Sequence, residues 1–138
     1  RRISEKQLAG KRILLAEDNN LNAEIAMELL KEEGMLIDRA ENGVVCVKKL
    51  EDAPAGYYSL ILMDVQMPDM NGYEATQRIR KLQDKEKASI PIIAMTANAF
   101  AEDRKKALDV GMNDHVAKPI DMDRLIPVLE KYLTRSDK

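Results

Sequence analysis

Tryptophan is absent, and phenylalanine, cysteine and histidine each occur once in the 138 residues. The lone cysteine, Cys46, has no partner for an internal disulfide, which suits a reducing compartment. Its neighbourhood of valines marks it as a small buried hydrophobe rather than a reactive thiol. The lone histidine, His115, excludes any two-histidine metal site. No apolar run approaches the roughly 20 residues that a bilayer span needs, and no secretory leader is visible. Neither sign of charge dominates. Twenty-two basic and 24 acidic residues leave a net charge of −2, which gives no electrostatic footprint for nucleic acid. What is present is 45% hydrophobic and 33% charged, the balance of one globular domain. The chain opens on Arg1 rather than Met, as a piece cut from a longer protein would.

The organising stretch is Leu60-Ile61-Leu62-Met63-Asp64, followed by Val65-Gln66-Met67-Pro68. An apolar run this short reads as a strand buried on both faces, and its terminal acid falls at the carboxyl edge of the sheet. The same pattern recurs along the chain. Ile13-Leu14-Leu15-Ala16 ends in Glu17-Asp18, Met35 to Ala40 forms a weaker run, Pro91 to Met95 ends in Thr96, and Asn113 to Ala117 ends in Lys118.

Between these runs lie amphipathic segments. Leu21, Ile25 and Leu29 recur every four residues after the capping asparagines 19 and 20, and Gly34 stops that helix. Val44, Val47 and Leu50 give a second stripe, barred by Pro54. Asn71 caps a third helix through Tyr73, Ala75, Thr76, Ile79 and Leu82. Asp84-Lys85-Glu86-Lys87 reads as a solvated loop. Residues 97–110 form a helix that packs through Phe100, Ala107 and Leu108. Asp121 caps the last helix, which runs to about Leu133, and Pro127 calls for a kink there or a start near Arg124.

Five strand–helix units predict an α/β fold. The expectation is a doubly wound parallel sheet of order 2-1-3-4-5, the flavodoxin-like (βα)5 arrangement, whose switch point lies between strands 1 and 3. Residues 1–10 read as a linker, 11–134 as the domain and 135–138 as a tail.

That topology gathers Glu17, Asp18 and Asp64 in one crevice. Two like charges about 4 Å apart repel by roughly 4 kcal/mol at an effective dielectric of 20, so a compensating cation is required. Lys118 supplies one positive charge. Oxygen ligands without His or Cys point to Mg²⁺ for the rest. With Thr96 as hydrogen-bond donor, the site suits a phosphoryl group, and Asp64 is the candidate nucleophile.

The motifs Leu14-Leu15-Ala16-Glu17-Asp18-Asn19, Leu62-Met63-Asp64 through Asn71-Gly72, Ile93-Ala94-Met95-Thr96-Ala97 and Ala117-Lys118-Pro119-Ile120 resemble the signatures of response-regulator receiver domains. The resemblance covers about residues 10–134, and the wording is most like receivers of hybrid sensor histidine kinases. It implies that Asp64 accepts a phosphoryl group from a phosphohistidine. It implies Mg²⁺ on Asp18, Asp64 and the backbone carbonyl of Gln66, with Glu17 assisting through water. It implies Lys118 and Thr96 on the phosphoryl group, Gln66 and Asn98 flanking it, and a cis peptide before Pro119. Thr96 would move on phosphorylation as part of a conformational switch. The family usually carries Tyr or Phe three residues before the lysine as the partner of that switch. Here that position is His115, which is either a switch residue or a strand histidine with no signalling role.

The implied partners are a histidine kinase core or a histidine phosphotransfer domain, docking through Leu21, Ala23, Pro119 and Ile120. Neither nucleic acid nor membrane contact is expected of this domain. The expected location is cytoplasmic, whether or not the parent chain is membrane-anchored. The activity would be self-catalysed phosphotransfer and autodephosphorylation at Asp64 rather than multiple turnover. Two alternatives stay open: a Mg²⁺ phosphatase acting on small phosphoesters, with Gln66 where such enzymes often place a second acid, and a binding module independent of phosphorylation.

Overall fold

The computed structural model describes residues 8–97 and 101–133. Five strands, β1 (Arg12–Ala16), β2 (Leu36–Ala40), β3 (Leu60–Asp64), β4 (Ile92–Thr96) and β5 (Asp114–Ala117), form one sheet. Every pairing is parallel and the order is β2-β1-β3-β4-β5, as expected. The helices are α1 (Asn20–Glu32), α2 (Gly43–Asp52), α3 (Gly72–Arg80), α4 (Lys85–Ala88), α5 (Ala101–Val110) and α6 (Met122–Leu133).

Side chains alternate across a strand, and the sheet divides its apolar residues accordingly. Ile13, Leu15, Leu60, Leu62, Ile93 and Met95 pack against Ala23, Ala26 and Leu30 of α1 and Leu125 and Leu129 of α6. Leu14, Ala16, Ile61, Met63, Ile92 and Ala94 pack against Cys46 and Leu50 of α2, Ala75 and Ile79 of α3, and Ala107 of α5. Both faces of β3 and β4 are covered, so all five residues of each strand are buried.

Helix starts follow the asparagines. Asn19, Asn42 and Asn71 each accept a main-chain N–H from the first turn of their helix. Asn71 and Glu74 complete a reciprocal capping box. Gly34 ends α1 at φ +89°, a conformation glycine adopts without a Cβ penalty.

Several expectations require correction. Leu21 and Ile25 are 64% and 50% exposed, and the buried stripe of α1 is Ala23, Ala26 and Leu30. The small alanines let α1 lie close on the sheet, which turns the bulkier i, i+4 row outward. Ala23 is therefore core, not a docking residue. Val44 and Leu108 likewise face outward, while Cys46, Val47 and Ala107 are buried. Leu8, read as linker, is fully buried against the α1 and α6 side of the sheet.

The solvated loop at residues 84–87 contains α4. Asp84 caps it by accepting from the N–H groups of Glu86 and Lys87, and Arg80 donates to the Ala88 carbonyl at its other end. The helix around Pro127 starts at Met122 rather than near Arg124. The Asp123 carbonyl that Pro127 leaves without a donor is in an exposed residue. Phe100 lies outside the described residues.

Gly72 seats α3 against the end of β3. Its N–H donates to the Val65 carbonyl at 3.1 Å, and a Cβ there would collide with the carbonyl oxygen of Asp64 and with Met63 and Val65. Helix propensity favours Ala over Gly by about 1 kcal/mol, whereas overpacking costs about 1–3 kcal/mol. Because the obstructing atoms are largely backbone, the second effect wins. Gly72→Ala is expected to lower the urea midpoint with the slope unchanged; a midpoint raised above wild type would show that α3 has room to shift.

Candidate functional site

The acids meet at the carboxyl rim of the sheet, where β1 and β3 end side by side. One carboxylate oxygen from each of Glu17, Asp18 and Asp64 lies within 4.8 Å of the others. Asp64 and Glu17 are buried, at 1% and 3% exposure, and Asp18 is exposed. At that separation each ionised pair costs roughly 3–4 kcal/mol at an effective dielectric of 20. Full ionisation of all three would thus consume much of a typical domain stability of about 5–15 kcal/mol.

The structure relieves this in three ways. Lys118, just past β5, places Nζ 3.0 Å from Asp64 Oδ2 and 3.8 Å from Glu17 Oε1. Main-chain donors hold the carboxylates: the Gln66 N–H donates to Asp64 Oδ1 at 3.1 Å and the Asn19 N–H to Glu17 Oε2 at 3.1 Å. Glu17 also keeps its proton longer. Burial, reinforced by the Asp64 charge and opposed by the Asn19 N–H, raises its pKa to about 7. Burial alone would depress the Lys118 ammonium, but Asp64, Glu17 and Asp18 together outweigh it and the group is raised.

Thr96 ends β4, 2% exposed. Its carbonyl accepts the Lys118 N–H at 2.7 Å, and it stands opposite Ala117 in the register. The Lys118–Pro119 peptide is cis. Gln66 enters through its main-chain N–H, and its side chain is exposed. His115 stands opposite Ala94 and so shares a sheet face with Thr96, two residues on. Its side chain is 19% exposed, with Nδ1 3.7 Å from Asp114 Oδ1, and it is not part of the acid cluster. Asn98 lies outside the described residues.

One site residue was not foreseen. Arg39, near the end of β2, donates Nε and Nη2 to the main-chain carbonyl of Glu17 at 3.0 and 2.8 Å, and Nη1 to Asn20 Oδ1 at 2.8 Å. No apolar period or motif marks it.

A doubly wound α/β domain with three acids and a lysine at its switch point defines a class. This chain belongs to the response regulator receiver domain family, whose model matches residues 13–130. It is 45% identical over 135 residues to hybrid signal transduction histidine kinase B of Dictyostelium discoideum, covering 88% of this chain and 7% of that protein. It is 38% identical over 123 residues to the two-component response regulator ORR41 of Oryza sativa subsp. japonica, covering 88% of this chain and 93% of that one. The chain thus spans a small fraction of the hybrid kinases it matches.

Among solved structures, the receiver domain of sensor histidine kinase PA1611 from Pseudomonas aeruginosa superposes with a TM-score of 0.81 at 36% identity, covering 91% of this chain and 99% of that one. That protein holds a magnesium ion in its active-site cleft. The Saccharomyces cerevisiae Ssk1 receiver, solved with the histidine phosphotransfer protein Ypd1, superposes with a TM-score of 0.84 at 28% identity, covering 94% and 92%.

The Glu17 shift has a definite sign. A carboxyl whose pKa is about 7 folded and near its ordinary 4.5 unfolded binds more protons in the native state between those values. Its contribution to stability therefore falls as pH rises through that window. In EDTA, wild type minus Glu17→Gln should show a urea midpoint difference that declines from pH 5 to pH 8. A difference that stays flat, or rises, would mean the Glu17 proton is not held as described.

Proposed function

We propose that this chain is the phosphoacceptor domain of a two-component phosphorelay, taking a phosphoryl group from a phosphohistidine onto Asp64. The observation that carries this reading is the buried Asp64 carboxylate gripped by Lys118 at 3.0 Å within a cluster of acids. Crowded oxygen donors without nitrogen or sulfur fit a hard divalent cation. Asp18, Asp64 and the Gln66 carbonyl would hold Mg²⁺, with Glu17 assisting through water. When bound, the ion would offset negative charge on the oxygens of the transferred group.

The residues of the chain do the rest. An Asp64 carboxylate oxygen attacks phosphorus, forming a P–O bond as the P–N bond to the donor imidazole breaks, and that nitrogen keeps the electron pair, so that a donor ring protonated on its other nitrogen leaves as neutral imidazole. The attacking group is a carboxylate oxygen with no hydroxyl proton to remove, held in place by Lys118 and the Gln66 N–H. Lys118 neutralises the equatorial oxygens and Thr96 donates a hydrogen bond to one of them. Gln66 flanks the group and influences its hydrolysis. The acyl phosphate carries about −1.5 to −2 charges in place of the carboxylate's single one and sets them farther from the Asp64 backbone, drawing Thr96 inward and repacking its sheet face. His115 shares that face and takes the switch position.

The partner is a helical domain bearing the phosphohistidine, either a histidine phosphotransfer domain or a kinase core of a longer hybrid chain in the cytoplasm. Ile25 on α1 lines a groove with Pro119 and Ile120 next to Glu17 and Lys118, and with the exposed Leu21 one turn before it offers that domain an apolar face. A net charge of −2 offers nothing comparable to nucleic acid. Among the described residues no helix is long and apolar enough to cross a membrane.

Incubation with Mg²⁺ and phosphoramidate, followed by intact mass, should add one phosphate that Asp64→Asn abolishes. Full labelling of the Asn variant would move the acceptor elsewhere, and multiple turnover of a phosphoester would favour a phosphatase instead. Lys118→Ala should remain folded but label at least about 10-fold more slowly, in keeping with loss of one transition-state charge partner. Ile25→Glu should label normally from phosphoramidate yet accept poorly from a phosphorylated histidine phosphotransfer protein. Equal loss with both donors would place Ile25 in folding rather than docking.

A further inference from the structure

We propose that Arg39 is a positioning residue, a clamp that presets Asp18 for the divalent cation. The inference rests on the phosphoacceptor reading above and deepens it.

The three acids are not held alike. Glu17 and Asp64 are fixed through their carboxylates, by main-chain N–H groups and by Lys118. Asp18 is exposed, and among the described residues no hydrogen bond holds its carboxylate. Its placement therefore depends on its backbone. The peptide joining Glu17 to Asp18 is planar, so fixing the Glu17 carbonyl also fixes the Asp18 N–H and Cα. Arg39 does this with two N–H groups on that single oxygen, at 3.0 and 2.8 Å. Its third donor reaches Asn20 Oδ1 at 2.8 Å, beyond the exposed turn at residues 18 and 19. The Glu17 N–H, on the near side, donates to the Ala40 carbonyl at 3.0 Å. The acidic loop is thus pinned to β2 before and after Asp18.

Only a planar fork spans these two acceptors; a lysine ammonium is a single point donor on a flexible stem. Charge and geometry also predict opposite signs. As a bare positive charge near the cluster, Arg39 repels a divalent cation, and its removal would tighten binding. As a clamp, its removal weakens binding. Arg39→Lys keeps the charge and loses the fork, so any loss it shows is geometric.

The test is calorimetric titration with Mg²⁺ of wild type, Arg39→Lys, Arg39→Ala and Asn20→Ala, with urea midpoints of the metal-free proteins alongside. Arg39→Lys should bind Mg²⁺ about 10-fold more weakly, as when an outer support of a metal ligand is lost. Asn20→Ala should show a smaller loss in the same direction. In phosphoramidate labelling, the Mg²⁺ concentration for half-maximal rate should rise for Arg39→Lys while the rate at saturating Mg²⁺ stays near wild type. A purely structural role would not produce that split. Wild-type affinity in Arg39→Lys, or tighter binding in Arg39→Ala, would overturn the clamp and leave the phosphoacceptor reading standing. A wild-type protein that takes up no Mg²⁺ would instead bring down that reading, and the clamp with it.

Discussion

Repulsion among three carboxylates at one rim of the sheet is the constraint to which the rest of the molecule answers. Two of the acids are buried, and all three offer oxygens within 4.8 Å of one another. Such crowding is tolerable only with positive charge at hand, hydrogen bonds to the carboxylates, or a proton retained. Lys118, the Asn19 and Gln66 N–H groups and the raised Glu17 provide one of each. None of these suffices alone, because a single ammonium cannot neutralise three acids. The residual negative charge at this rim is what would draw a cation to the site.

The opposite rim is built on the reverse principle. Arg80 donates to the carbonyls of Gly111, Ala88 and Ile90 and to Asn113 Oδ1, at 2.6–2.8 Å. Arg12 pairs with Asp38 at 2.9 Å and lies over the Tyr57 ring, and Tyr58 donates to the other Asp38 oxygen at 2.8 Å. Here each charge meets acceptors or an opposite charge at close range. The sheet's two ends thus divide the labour: one is satisfied and fixes the strands, the other is left in electrostatic want.

The fold was legible because its signals are one-dimensional. Apolar runs such as Ile13 to Ala16 and Leu60 to Met63 state a doubly covered strand, and the asparagine caps state where helices begin. The terminal acids and Lys118 were legible for the same reason, since a strand end is a sequence position. Helix faces were less so. In α1 two apolar rows compete, Leu21-Ile25 and Ala23-Ala26-Leu30, and hydrophobicity ranks the wrong one first. The alanines win because close approach to the sheet rewards small size, a packing effect absent from periodicity. In α4 the charged residues concealed a capped turn whose far end is held by Arg80, which lies outside that segment.

Arg39 escaped notice for a more general reason. Its partner is the carbonyl of Glu17, and a carbonyl looks the same whatever residue carries it. Side chains that act on backbone leave no complementary residue type elsewhere in the chain, so no pairing or spacing betrays them. Arg80 is the same case at the other rim, where three of its four acceptors are main-chain carbonyls. In both places the arginine fork holds a loop chiefly by its backbone, with one side-chain amide oxygen, that of Asn20 or Asn113, as a further acceptor. At the carboxyl rim this leaves the exposed carboxylate of Asp18 open to a cation while the Glu17 carbonyl behind it is held.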